Sequence, residues 1–296
     1  MKKGLIGSAL VFMAGVLWGF MGVFVRGLSV SGFSPLHIIM VRAAVSAVAM
    51  AVSALIADRG SFRVKPKDLW CFFGTGIVSL ALFGYCYFTA IEKTSMSVAA
   101  ILLYTAPIMV MVMSALLFRE KMTLQKVLCL CAAFIGCVFV TGILSGSEVK
   151  IAPDALGFGL MSGFAYALYS IFGRFAINRG YSSMTITLYT FAFAFAGLFI
   201  ITDLRPVVSV ISEQPSLILS CIAMGICTGF LPYLLYTAGL ERLESGKASI
   251  VASVEPAVAT VCGMIFFDEF PDLFGWLGIA LVLGAIVFLN IDFKKK

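Results

Sequence analysis

The chain has 296 residues, 61% of them hydrophobic and 12% charged, with mean hydropathy +1.06 and a net charge of +6. Soluble domains run at roughly 45–50% apolar and about 25% charged, so the composition excludes one and implies a surface that mostly faces lipid.

A helix needs about 20 apolar residues to cross a hydrocarbon core of ~30 Å, and ten stretches meet that need. In chain order they are 4–25, 36–57, 69–91, 97–118, 127–144, 155–173, 184–202, 217–240, 248–267 and 273–291. None alternates apolar and polar residues as a barrel strand must. Lys2 and Lys3 precede the first stretch, but its apolar run is too long for a signal core and no small-residue cleavage site follows before Arg26. It is read as span 1.

Lys and Arg collect in the cytoplasmic loops of membrane proteins. Lys2, Lys3, Arg59, Arg63, Lys65, Lys67, Arg119, Lys121, Lys126, Arg174, Arg179, Arg242, Lys247, Lys294, Lys295 and Lys296 share the side of the termini, while only Arg26, Lys93, Lys150 and Arg205 lie opposite. Both termini are therefore expected in the cytoplasm, with the chain in a plasma (inner) membrane. The asymmetry accounts for the net charge, so no nucleic-acid partner is expected. All eight cysteines fall in apolar spans without a C-x-x-C pair, which argues against disulfides and metal sites.

The halves repeat. A shift of 148 aligns Met13 with Met161, Gly15 with Gly163, Arg26 with Arg174 and Ser34 with Ser182; a shift of 149 then aligns Ala99 with Ala248, Pro107 with Pro256 and Glu120 with Glu269. Residues 1–146 and 147–296 form two units of five spans each. Five is odd, so the second unit enters the membrane from the opposite side. The expected fold is all-α, with ten transmembrane helices in two inverted five-helix repeats around a central cavity. Such a construction lets two copies exchange conformations and alternate the open side, as in many secondary transporters.

Matching helix breaks in the two halves point to a binding site near the midplane. Pro107 lies mid-span 4 and Pro256 mid-span 9, while Pro232 in span 8 aligns with Gly84. Two ionised side chains lie well inside spans, Arg42 and Glu255, and such groups face a cavity or a partner by default. Glu255 follows Lys247 by eight residues, or ~12 Å of helix. It is a candidate to exchange a proton, to hold a substrate ammonium, or to stitch helices together. Arg42, whose repeat mate is Thr190, is a candidate to bind a carboxylate, to pair with Glu255, or to snorkel to the interface. His37, the only histidine, is expected simply to be solvated. Trp18 and its mate Tyr166, with Tyr85, Tyr104, Tyr169, Tyr233 and Tyr236, supply aromatic walls of the kind small-molecule cavities use.

The segments AAILLYTAPIMVMVMSALLFREKMT and ASIVASVEPAVATVCGMIFFDEF each carry small residues, a mid-helix proline and a helix-end glutamate. With Trp18–Gly19 in span 1 and Arg42 in span 2, the whole chain resembles the EamA-type permeases of the drug/metabolite transporter superfamily. The resemblance implies a basket of ten helices, a cavity lined by spans 1, 3, 4, 6, 8 and 9, and peripheral spans 5 and 10. It implies carriage of amino acids, other metabolites, nucleotide-linked sugars or drugs, often outward and coupled to protons or exchange.

The expected function is a secondary transporter exporting amino acids or related small metabolites by alternating access. A flippase or carrier for lipid-linked or nucleotide-linked sugars is the alternative. No cofactor is implied. An enzyme would need a nucleophile with a base, paired carboxylates or metal ligands, none of which the sequence offers. The oligomeric state is open.

Overall fold

The computed structural model describes residues 2–94, 96–143 and 153–291. The boundary at 146/147, the expected end of span 5 at 144, Lys150, and Lys294, Lys295 and Lys296 lie outside them. No strand occurs among the described residues. Nine helices are long and apolar enough to cross a membrane and one more is shorter, so the expected ten spans resolve into nine of full length plus one. They are α1 (Lys3–Val30), α2 (Pro35–Ala57), α3 (Pro66–Lys93), α4 (Met96–Phe118), α5 (Leu124–Val140, the short one), α6 (Pro153–Asn178), α7 (Ser183–Ile201), α8 (Leu217–Leu240), α9 (Ser245–Phe267) and α10 (Leu273–Asn290). A short helix, Arg205–Glu213, joins α7 to α8. Ser8 donates to Asn290 Oδ1 at 2.7 Å, so the first and last described helices meet at one end of the bundle, here called the terminal end.

Local sequence sets the helix starts in matched fashion. Ser34 Oγ accepts from His37 N–H at the head of α2, and its mate Ser182 accepts from Thr185 N–H at the head of α7. His37 completes a capping box, its Nδ1 taking the Ser34 N–H at 3.3 Å, while Nε2 lies 3.1 Å from Asp203 O. The expectation that His37 is merely solvated is thereby corrected: its ring ties α2 to the α7 end. A one-residue histidine reading could not show this, because the second partner is 166 positions away.

Four of the spans are broken or loosened midway in repeat-related pairs. The helix of α4 stops at Leu103 and restarts at Ala106, and that of α9 stops at Ala252 and restarts at Glu255. Pro107 and Pro256 fall in the first turn of each restarted half, where the missing N–H is no loss. π-helical stretches, Gly74–Ala81 and Gly225–Phe230, interrupt α3 and α8. Pro232 opens the turn after the second. Among the described residues α1 departs from its mate: it breaks at Phe20, whereas α6 runs unbroken over Pro153–Asn178.

The repeats interlock. Helix α1 packs on α8 and α9, as α6 packs on α3 and α4; α2 meets α8 as α7 meets α3; and α5 packs along α10. Glycine permits the close approaches. A Cβ on Gly163 of α6 would lie 2.9 Å from Leu102 O, and one on its mate Gly15 of α1 would lie 3.0 Å from Ala252 O. Each glycine abuts the break in the other repeat's discontinuous helix.

Candidate substrate cavity

Trp18, Arg42, Tyr104, Tyr166, Tyr233 and Glu255, drawn from α1, α2, α4, α6, α8 and α9, line one cavity of about 260 Å³. Through Gly22, Met96 and Tyr104 it adjoins a vestibule of about 390 Å³ at the end of the bundle opposite the terminal end, where Arg26 and Glu269 sit. Toward the terminal end it is closed. Trp18 packs edge-on to Tyr233 at 5.2 Å and tilted on Tyr236 at 5.4 Å. Behind them the hydroxyls pair, Tyr169 with Thr237 and Ser170 with Tyr236, each at 2.7 Å. Tyr169 and Tyr236 therefore form the floor and hold it shut.

Tyr85 does not reach the cavity. Its side of α3 is exposed, and its ring meets Phe158 at 6.3 Å. Phe83, Tyr87, Phe88 and Ile91 line the cavity instead. Positions 83, 87 and 91 are four apart and share a helix face, from which residue 85 is turned away. That spacing is present in the sequence and would have selected Tyr87 over Tyr85, had the phase of α3 been known. Met21 was likewise missed; its Sδ receives Arg42 Nη1–H at 3.5 Å.

Arg42 is 4% exposed, yet its Nε has no hydrogen-bond partner. Ser46, one turn on, explains why α2 holds this position: its Oγ lies 2.7 Å from Arg42 O and 2.9 Å from Gly225 O, sharing its hydroxyl hydrogen between α2 and the loosened turn of α8. A Cβ on Gly229 would fall 2.0 Å from that Oγ, so the glycine lets α8 close on it. In the other repeat, Thr190 takes Arg42's place and bonds Thr75 in the π stretch of α3 at 2.7 Å. The architecture is symmetric and the charge is not.

Glu255 is the first residue of the second half of α9, where the helix dipole favours an anion. Tyr166 OH donates to its Oε2 at 3.4 Å. Ala106 stands at the matching start in α4, so again only one repeat carries the charge. No ion pair joins Arg42 to Glu255 among the described residues, although both face the same cavity. Pro107 and Pro256 line a small pocket of about 20 Å³ beside Glu255, large enough for roughly one water. Pro232 is buried and lines neither space. A fixed cation, a fixed carboxylate and aromatic walls can together orient a solute that carries both charges on an apolar body.

No group of three or more His, Cys, Asp or Glu side chains able to hold a metal ion occurs among the described residues. The family model described as the EamA-like transporter family matches the chain twice, over residues 5–142 and 155–291. An uncharacterized transporter of Archaeoglobus fulgidus is 29% identical over 258 residues, covering 87% of this chain and 89% of its own. An uncharacterized inner membrane transporter, YicL, of Salmonella typhimurium is 22% identical over 299 residues, covering 100% and 97%. An uncharacterized transporter of Helicobacter pylori is 27% identical over 309 residues, covering 98% and 97%. A solved crystal structure superposes with a TM-score of 0.75 at 18% identity, covering 96% of each chain, which is a likeness of fold.

Proposed function

The chain belongs to the EamA-like transporter family, as a multi-pass membrane transporter, and on that premise we propose that it carries amino acids or related small zwitterions by alternating access. The observation that carries the substrate class is the buried, unpartnered Nε of Arg42, on a guanidinium that faces Glu255 across an aromatic cavity. A buried donor without an acceptor costs about 1–3 kcal/mol, and a substrate carboxylate removes that cost on binding. Glu255 then receives the ammonium, and Trp18, Tyr166 and Tyr233 enclose the apolar remainder. Exchange of a proton at Glu255 would couple the cycle to a pH gradient. Export across a plasma membrane with cytoplasmic termini is part of the same proposal, supported by the distribution of basic residues.

The test compares thermal melting of the purified protein with three ligands that share a side chain: an amino acid, its decarboxylated amine and its N-acetyl acid. Ligand that binds only the folded state raises the melting temperature by mass action. The intact amino acid is expected to raise it and the other two to leave it unchanged. Equal shifts from all three would remove the pairing of Arg42 with carboxylate and Glu255 with ammonium.

A further inference from the structure

The two ends of the bundle hold the same repeat-related groups in different arrangements. Glu120 and Glu269 each follow a residue in the left-handed region, Arg119 and Asp268, both at φ 55°. These are the only non-glycine residues of positive φ among those described. Past that turn, Glu120 N donates to Ser114 O at 3.3 Å and Glu269 N to Gly263 O at 3.2 Å. The backbone delivers both carboxylates in the same way, and only their partners differ.

At the closed, terminal end Glu120 accepts from the N–H of Ser245 at 2.7 Å and of Gly246 at 3.1 Å, the first turn of α9 in the other repeat. Arg174 grips the same corner, donating from Nε to Ser245 Oγ at 3.0 Å and from Nη2 to Leu243 O. At the open end Glu269 is held by Arg26 instead, through two bonds of 2.7 and 3.1 Å, with the guanidinium over the Phe267 ring. Met96 and Ser97, the repeat mates of Ser245 and Gly246, line the vestibule beside Glu269 and are not capped by it.

We propose that Glu120 and Glu269 are alternating latches: each caps the first turn of the other repeat's broken helix while its own end is shut, and passes to Arg174 or Arg26 when that end opens. The cycle they serve rests on the transport reading above; the exchange of partners follows from the inverted repeat, since giving each repeat the other's conformation reverses the open side. The hand-over keeps each carboxylate partnered in both states. The cap is the stronger holding, because it satisfies two backbone donors at a helix start with a charged acceptor. The Arg26–Glu269 pair is the weaker, with side chains 44% and 54% exposed.

Hydrogen exchange of the full chain, read by mass spectrometry in detergent, tests this without any solute. For Glu120→Gln, a net loss of about tenfold in the cap's favour is expected, from charged hydrogen bonds set against an exposed pair. Amides of 245–249 should exchange faster and those of 96–100 more slowly. Glu269→Gln should do the reverse, and the double variant should return the ratio of the two ends to that of the parent. Acceleration confined to each variant's own end, adding up in the double, overturns the proposal. Should Glu120→Gln not fold, Arg26→Gln at the surface must shift both ends in the direction given for Glu120→Gln, by about threefold; no shift is equally fatal. Solute counterflow by the parent with no reciprocal exchange sinks the latches alone. Reciprocal exchange with no counterflow leaves the latches standing and sinks the transport reading.

Discussion

Replacing Arg42 by methionine should make the protein more stable and less able to bind its solute. Methionine keeps the stem that runs past Gly229 and removes the guanidinium, whose Nε is buried without a partner and whose Nη1 donates to a thioether sulfur at 3.5 Å. Leaving one buried donor unsatisfied costs about 1–3 kcal/mol, and an apolar group of similar shape recovers it. At roughly 2–4 °C per kcal/mol for a chain of this order of size, the melting temperature should rise by several degrees. Intrinsic fluorescence of the purified protein during heating measures that rise, and the amino-acid-dependent shift should vanish in the same samples. If Arg42→Met melts several degrees below the parent, the guanidinium is a structural tie and the binding argument fails.

Glu255→Gln should keep the fold while abolishing transport or freeing it from an imposed pH gradient; unchanged rate and pH dependence in vesicles would remove the carboxylate from the cycle. Gly163→Ala should destabilise by about 1–3 kcal/mol, since its Cβ meets backbone at 2.9 Å, whereas Gly22→Ala, with nothing within 4 Å, serves as the neutral comparison in the same melts. Asp203 is held below the usual carboxylate range by hydrogen bonds from the Arg205 side chain and backbone. Its contribution is therefore present above the ordinary carboxylate range and fades as pH falls through its lowered value. Melting curves of Asp203→Asn and the parent should accordingly converge in acid, and a gap that widens there would contradict the sign.

The features the sequence disclosed are those that depend on the repeat or on a lone charge in an apolar run. Pro107 and Pro256 stand in register, and each falls in the first turn of a restarted half-helix; Arg42 and Glu255 stand out as charges and share one cavity. What stayed hidden depends on helix phase or on contacts between repeats. Tyr85 and Tyr87 are indistinguishable by composition, and the face of α3 decides between them. The π stretch of α8 needs Ser46 from α2, and the role of Gly15 needs Ala252 from α9. Glu120 and Glu269 read in the sequence as a repeated helix-end glutamate, whereas contacts between the repeats decide that one caps a helix while the other holds an arginine.

Solute counterflow in proteoliposomes, with vesicles loaded in turn with amino acids, purines and nucleotide sugars and a labelled trace of each outside, tests the central claim without assuming a driving gradient. Transient accumulation of labelled amino acid, lost in Arg42→Met, is the predicted result. Accumulation of a nucleotide sugar alone, or of nothing in vesicles shown to hold folded protein, would contradict it.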